Sequence, residues 1–204
     1  AEAKRYGQVN AIDALEQRDG LFRITEPARW NLNPNAAYLH YTPNETIGGV
    51  EYLYTPDSGG VPLVADMSST ILSRPIDITK FGLIYAGAQK NIGPSGLTVV
   101  IVREELLDRA QPDTPTMYRY KTHADHGSLY NTAPTFAWYL AGLVFQWLKD
   151  QGGVAAMGER NRRKAGKLYA YIDASAYYSN PIDASCRSWM NMPFRLQDEA
   201  LNAR

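Results

Sequence analysis

Over its first half the chain arranges apolar residues in short continuous runs separated by polar breakers. Residues 36–41, AAYLHY, form one run that stops at Pro43 and gives way to the polar loop Asn44, Glu45, Thr46. Residues 61–65, VPLVA, form another, ending on Asp66 and followed by Ser68, Ser69 and Thr70. Residues 83–88, LIYAGA, carry the chain to Gln89 and Lys90, and beyond the breakers Gly93, Pro94 and Gly96 a last run covers 97–102. Short apolar runs bounded by turn residues predict buried strands. Ahead of them, residues 1–6 read as the last turns of a helix stopped by Gly7, 8–12 as a short strand, and 13–35, with Pro27 and Pro34, as a mixed segment of short helix and loop.

The pattern becomes helical further on. Residues 103–110 predict a short helix, 111–116 a Pro-rich loop, and 117–130 show no clear period. Residues 136–150 are apolar nearly all round, the mark of a helix buried on most sides in a core or at a subunit interface, with 131–135 as its cap. Gly152-Gly153 stops it, and 154–174 form a second long helix with an apolar face at Leu168, Tyr169 and Ile172. After the Asn180-Pro181 turn, Met190, Met192, Phe194 and Leu196 alternate with Trp189, Asn191 and Arg195, which predicts a half-buried strand. Residues 198–204 read as the first turns of another helix. The fold class is α/β, a large domain over 1–155 followed by a linking helix and the start of a small α+β domain over 156–204.

Composition narrows the partners. Twenty-one Lys plus Arg balance 21 Asp plus Glu, so no net field favours nucleic acid or an anionic membrane. One cysteine, Cys186, and no apolar run of signal or membrane length point to a reducing, cytoplasmic setting. Three histidines, His40, His123 and His126, are badly spaced for a metal site, and none is expected. Asn44-Glu45-Thr46 matches a glycosylation acceptor that is idle without a secretory signal.

Three successive strands each end in a polar set: Thr46 after the first, Asp66 after the second, Gln89 and Lys90 after the third. Ligands of open α/β sheets sit beyond the carboxyl ends of strands, so these residues are expected to converge on one crevice. A lysine screened there from water is disfavoured as an ammonium, and a neutral amine is a nucleophile. Asp66 and Lys90, 24 residues apart, on one rim suggest pyridoxal phosphate, whose aldehyde needs an amine and whose ring nitrogen needs an anion. The plainer alternatives are a surface lysine beside a turn, Asp66 as a helix cap, Thr46 closing a turn, Gln89 satisfying backbone, and Asn131 as a helix cap.

The runs HYTPNET (residues 40–46), AD-x-SSTILSRPID (65–77), YAGAQKNIGPSGLT (85–98) and NTAPTFAWYLAGLVF (131–145) closely resemble the phosphoserine aminotransferases, fold type I, class V pyridoxal phosphate enzymes. The resemblance covers nearly the whole chain. It implies that Lys90 binds the cofactor aldehyde and shuttles the proton, that Asp66 pairs with the pyridine nitrogen, that Thr46 bonds the ring hydroxyl region, and that Gln89 contacts the cofactor phosphate. Asn131 and Thr132 correspond to the pair that reaches across a homodimer to the partner's cofactor phosphate. The implied reaction moves an amino group between glutamate and 3-phosphooxypyruvate, giving 2-oxoglutarate and O-phosphoserine; the family also serves vitamin B6 synthesis in many bacteria. The family's N-terminal portion, with a Gly-Arg pair at the cofactor phosphate, an aromatic residue stacked on the ring and a substrate His-Arg pair, has no counterpart here, nor does the rest of the small domain. The 204 residues are therefore expected to be nearly inactive by themselves.

Other readings lead elsewhere. A related class V enzyme, a desulfurase or an alanine:glyoxylate-type transaminase, shares the lysine and aspartate, but a desulfurase needs a mobile cysteine. A non-catalytic fragment acting as an interaction module is the alternative from another class. A phosphate-loop nucleotide binder fails, because AGAQKNIGPSG lacks the Gly-Lys-Ser/Thr ending.

Overall fold

The strands of the first half line up as one sheet, seen in a computed structural model that describes residues 2–201. Its members are β3 (Leu39–Tyr41), β4 (Leu63–Asp66), β5 (Leu83–Gly87) and β6 (Thr98–Val102), in that order. The pairs β3–β4 and β4–β5 are parallel, so Tyr41, Asp66 and Gly87 end on one rim, while β6 runs antiparallel to β5. Side chains alternate across a strand. The register Tyr41↔Ala65↔Ile84 therefore points Leu63, Ala65, Ile84 and Ala86 one way, into a cluster with Met67, Ile71, Phe81, Ala88, Ile92 and Ala141. His40, Val64, Asp66 and Tyr85 share the opposite face. Packing fixes the sheet from one side and leaves polar groups on the other.

Ahead of the sheet, residues 8–35 depart from the expected strand and short helix. Residues 8–12 form no strand; β1 (Leu15–Arg18) and β2 (Leu21–Ile24) make an antiparallel hairpin, followed by a single 3-10 turn at Pro27–Arg29. Its loop is Asp19-Gly20, at φ 53° and 80°, and an Asp-Gly pair with both residues at positive φ matches the twist of the flanking strands. The predicted N-terminal helix is one 3-10 turn at Glu2–Arg5.

Later elements also differ in extent. The short helix expected over 103–110 is a 3-10 turn at Glu104–Leu106, whereas the aperiodic stretch contains α1 (Tyr120–Asp125), supported by a Lys121–Asp125 pair at 2.9 Å. The two long helices are α2 (Thr135–Asp150) and α3 (Gly153–Asp173). Within this chain α2 is not buried on most sides. Only Ala137, Ala141 and Leu148 are buried, while Phe136, Tyr139, Leu143 and Trp147 are 69, 64, 50 and 50% exposed. α3 buries Gly158, Asn161, Ala165, Tyr169 and Ile172, one stripe at helical spacing. Leu168, expected on that stripe, is 39% exposed. Asn161 Nδ2 donates to the Ser73 carbonyl at 2.9 Å, and a Cβ on Gly158 would meet Arg74 Cβ at 3.3 Å, so the helix lies closely on residues 73–75.

The alternation over 189–196 gives less strand than expected. β8 (Arg195–Leu196) pairs with β7 (Tyr178–Ser179), and Phe194 is exposed. Residues 186–191 instead return to the loop after β3, where Glu51 N donates to the Cys186 carbonyl and Asn44 Nδ2 to Asn191 Oδ1, at 2.8 and 2.7 Å. Glu51 is fully buried; its carboxylate accepts from Arg74 and, at 2.7 Å, from Trp189 N. Arg74 also donates to the Tyr52 carbonyl at 2.7 Å and lies 5.6 Å from the Trp189 ring. An isolated antiparallel bridge, Val50↔Arg187, together with these side-chain bonds sets this segment's path. Of the helix expected over 198–204, Glu199–Leu201 form a 3-10 turn and the rest lies outside the described residues.

Candidate active site

Parallel pairing brings two of the sequence-predicted residues into direct contact on the rim. Lys90 Nζ donates to Thr46 Oγ1 at 2.9 Å across 44 positions of sequence. Thr46 stands free for this because the turn around it is closed by its neighbour: Glu45 accepts from the Ile47 and Gly48 amides, and Gly49 N donates to the Glu45 carbonyl. Gly49, at φ 76°, is required there, since a Cβ would collide with the Pro193 ring. Lys90 is exposed, so the screening from water expected of it is not supplied by these residues.

Asp66 ends β4 one strand away. Its Oδ1 accepts from Ser68 N at 2.9 Å and Ser68 Oγ at 2.6 Å, so it caps the turn that follows rather than a helix. The Gln89 side chain makes no hydrogen bond among the described residues; its amide folds over Gly87, where a Cβ would lie 2.5 Å from Oε1. Asn131 and Thr132 are exposed ahead of α2, with no bond to the Thr46–Lys90 pair. Asn131 does not cap α2: the cap position is Pro134 without a side-chain bond, and Asn131 Nδ2 only reaches the Thr132 carbonyl at 3.4 Å.

Residues the sequence did not single out complete the face beside Asp66. His40 Nε2 lies 3.0 Å from Tyr85 Oη, the rings stacked at 6.0 Å. His40 is exposed on the strand, and the desolvation of its ring beside Tyr85 lowers the imidazole from its ordinary 6.5, partly offset by the Asp66 charge; burial followed by the same charge pushes the Tyr85 phenol up. A base with a lowered folded value takes its proton more readily when unfolded, so the contribution of neutral His40 to stability is present above about pH 6.5 and lost as pH falls toward the folded midpoint. The expected NMR titration of His40 therefore has its midpoint below that of a peptide covering residues 38–42; equal midpoints would contradict the packing argument. The strand period, which sets His40 and Asp66 on one face, was the available signal.

Cys186 is 3% exposed and burial pushes its thiol up, the opposite of a reactive thiolate. Among the described residues no group of three or more His, Cys, Asp and Glu is disposed to hold a metal ion. The chemistry of the rim is thus an amine held by a hydroxyl, with an anchored carboxylate one strand over.

The family model described as aminotransferase class V matches residues 2–203. The phosphoserine aminotransferase of Pseudomonas aeruginosa PAO1 is 62% identical over 201 residues, covering 98% of this chain and 55% of its own length. That of Hahella chejuensis is 61% identical over 204 residues, covering 100% and 56%. The chain spans about half the length of the curated relatives it matches. Among solved structures, a phosphoserine aminotransferase from Bacillus circulans subsp. alkalophilus superposes with a TM-score of 0.84 at 49% identity, over 88% of this chain and 50% of that one. The PLP-bound phosphoserine aminotransferase from Trichomonas vaginalis gives 0.82 at 44%, over 86% and 48%.

Proposed function

The chain belongs to the class V aminotransferase family, and we propose that it carries the central part of a phosphoserine aminotransferase, transferring an amino group between glutamate and 3-phosphooxypyruvate on pyridoxal phosphate. The observation that carries this is the Lys90–Thr46 contact on the rim of three parallel strands, with the Asp66 carboxylate at the end of the middle one. This donor set fits the cofactor: an amine, an anion and hydroxyls from adjacent strand ends. When bound, pyridoxal phosphate supplies an aldehyde that an amine captures and a ring that accepts an electron pair. Lys90 Nζ would hold the aldehyde and would carry the proton at the substrate α-carbon. Thr46 holds that amine in place and would contact the ring hydroxyl region. Asp66 provides the negative charge for the ring nitrogen. Gln89 contributes to the phosphate site, and Asn131 and Thr132 serve the phosphate of a second copy.

The division into a large domain over 1–155 and a small one from 156 onward belongs to the same proposal, as does a cytoplasmic setting, in keeping with the unpaired Cys186. The buried thiol argues against a desulfurase.

We assign the exposed apolar side of α2 to a second copy of the chain. Phe136, Tyr139, Leu143 and Trp147 recur at helical spacing beside a groove of about 470 Å³ lined by Gly93, Pro94 and Leu140, and the same helix starts just beyond Asn131 and Thr132. Sedimentation equilibrium is expected to show a dimer that Trp147→Asp weakens at least about tenfold, the loss of one aromatic anchor. A strictly monomeric parent chain at high concentration would refute the assignment.

The visible spectrum with added pyridoxal phosphate, before and after borohydride, tests the central reading. A reduced adduct located at Lys90 by peptide mass supports it; an adduct only on other lysines removes it.

A further inference from the structure

One hydroxyl lies between the strand that carries Asp66 and the segment that delivers Lys90. Ser68 Oγ donates to Asp66 Oδ1 at 2.6 Å and accepts from Gly87 N at 3.0 Å, three residues before Lys90. The Ser68 amide donates to the same Oδ1 at 2.9 Å. A hydroxyl has one proton. With that proton given to Asp66 and a lone pair given to Gly87, its rotation is set by both neighbours at once. Ser68 is half-buried and its two bonds join separate strands.

We propose that Ser68 is a positioning residue for the cofactor site: it fixes the orientation of the Asp66 carboxylate relative to the 87–90 segment, so that the anion and the amine meet one ligand together. This rests on the reading of Asp66 as the partner of the pyridine nitrogen. Ser68 engages one carboxylate oxygen twice, which holds the plane of the group and directs its second oxygen. Without the hydroxyl, the carboxylate loses one of the two bonds that Ser68 makes to it and the Gly87 amide loses its acceptor. Both changes loosen the relation between the strand ends without removing any group that touches the ligand.

A double-mutant cycle on pyridoxal phosphate affinity tests this, using Ser68→Ala and Asp66→Asn singly and together, with affinity read from absorbance and Trp fluorescence and folding from circular dichroism. Ser68→Ala is expected to weaken binding about tenfold when Asp66 is present, the scale of a hydrogen bond to a charged group, and by no more than about twofold in the Asp66→Asn background. In the cofactor-free protein, Ser68→Ala should speed hydrogen exchange at Gly87, and Ser68→Thr should restore both protection and affinity. Equal losses in the two backgrounds, or unchanged affinity, overturn the positioning role while leaving Asp66 in place. Asp66→Asn binding as tightly as the parent, or no binding by any variant, overturns the reading beneath it and the proposal with it. Should Ser68→Ala fail to fold, Ser68→Cys, of similar size with a weaker donor, goes through the same cycle.

Discussion

Alanine at position 90 is expected to abolish the borohydride-stable adduct and to lower amino transfer by at least about 10²- to 10⁴-fold, the contribution of a positioned proton carrier. The adduct can be read on these residues directly and needs no turnover; transfer is measured in a chain of the relatives' full length. Lys90 is exposed and its side chain bonds to Thr46, so its removal should leave the fold intact and the unfolding midpoint nearly unchanged. Non-covalent binding should survive in part, because Asp66 and Thr46 remain. An unchanged adduct yield in Lys90→Ala would place the covalent chemistry on another lysine and remove the functional reading.

Removing the Glu51 carboxylate is expected to cost about 3–5 kcal/mol of stability, the range for breaking a buried ion pair. Glu51 is fully buried and accepts from Arg74 and the Trp189 amide, while the Arg74 side chain is only 17% exposed. In Glu51→Ala the guanidinium keeps its bond to the Tyr52 carbonyl and its contact with Trp189 but loses its counter-charge. Such a loss is a large part of a typical stability of about 5–15 kcal/mol. Urea unfolding should show the midpoint falling with an unchanged slope. Replacing both partners with methionine should recover much of the loss, because the cost lies in the orphaned charge. A loss below about 1 kcal/mol, the scale of an exposed pair, would contradict the argument.

How much was legible follows from the range over which each feature is determined. The three parallel strands and the meeting of Thr46 with Lys90 were readable, because apolar runs and the residues ending them are local and the rule for strand ends supplies the convergence. The hairpin was missed although Asp19-Gly20 marks it; mixed polarity in residues 15–24, half-exposed on both strands, hid the alternation. The helical character of α2 was plain, but its surroundings were not, since a helix apolar all round has the same sequence whether its outer side meets this chain or another surface. Ser68 and the Glu51–Arg74–Trp189 group could not be read at all. Their meaning depends on partners 19, 23 and 138 positions away, and no local pattern carries that.

That last separation has a consequence for how the chain acquires its structure. Contacts distant in sequence form only after the entropy of closing the intervening loop has been met. During synthesis residues 39–102 can assemble their strands and gather Ile84, Ala65 and Leu63 while Glu51 still lacks the Trp189 amide. The loop that holds Thr46 is tied down through Asn44 and Asn191 by the same late segment. The order of emergence from the ribosome therefore runs opposite to the order of need: the turn that bears the amine comes early, and the stretch that steadies the hydroxyl facing it comes near the end of these residues.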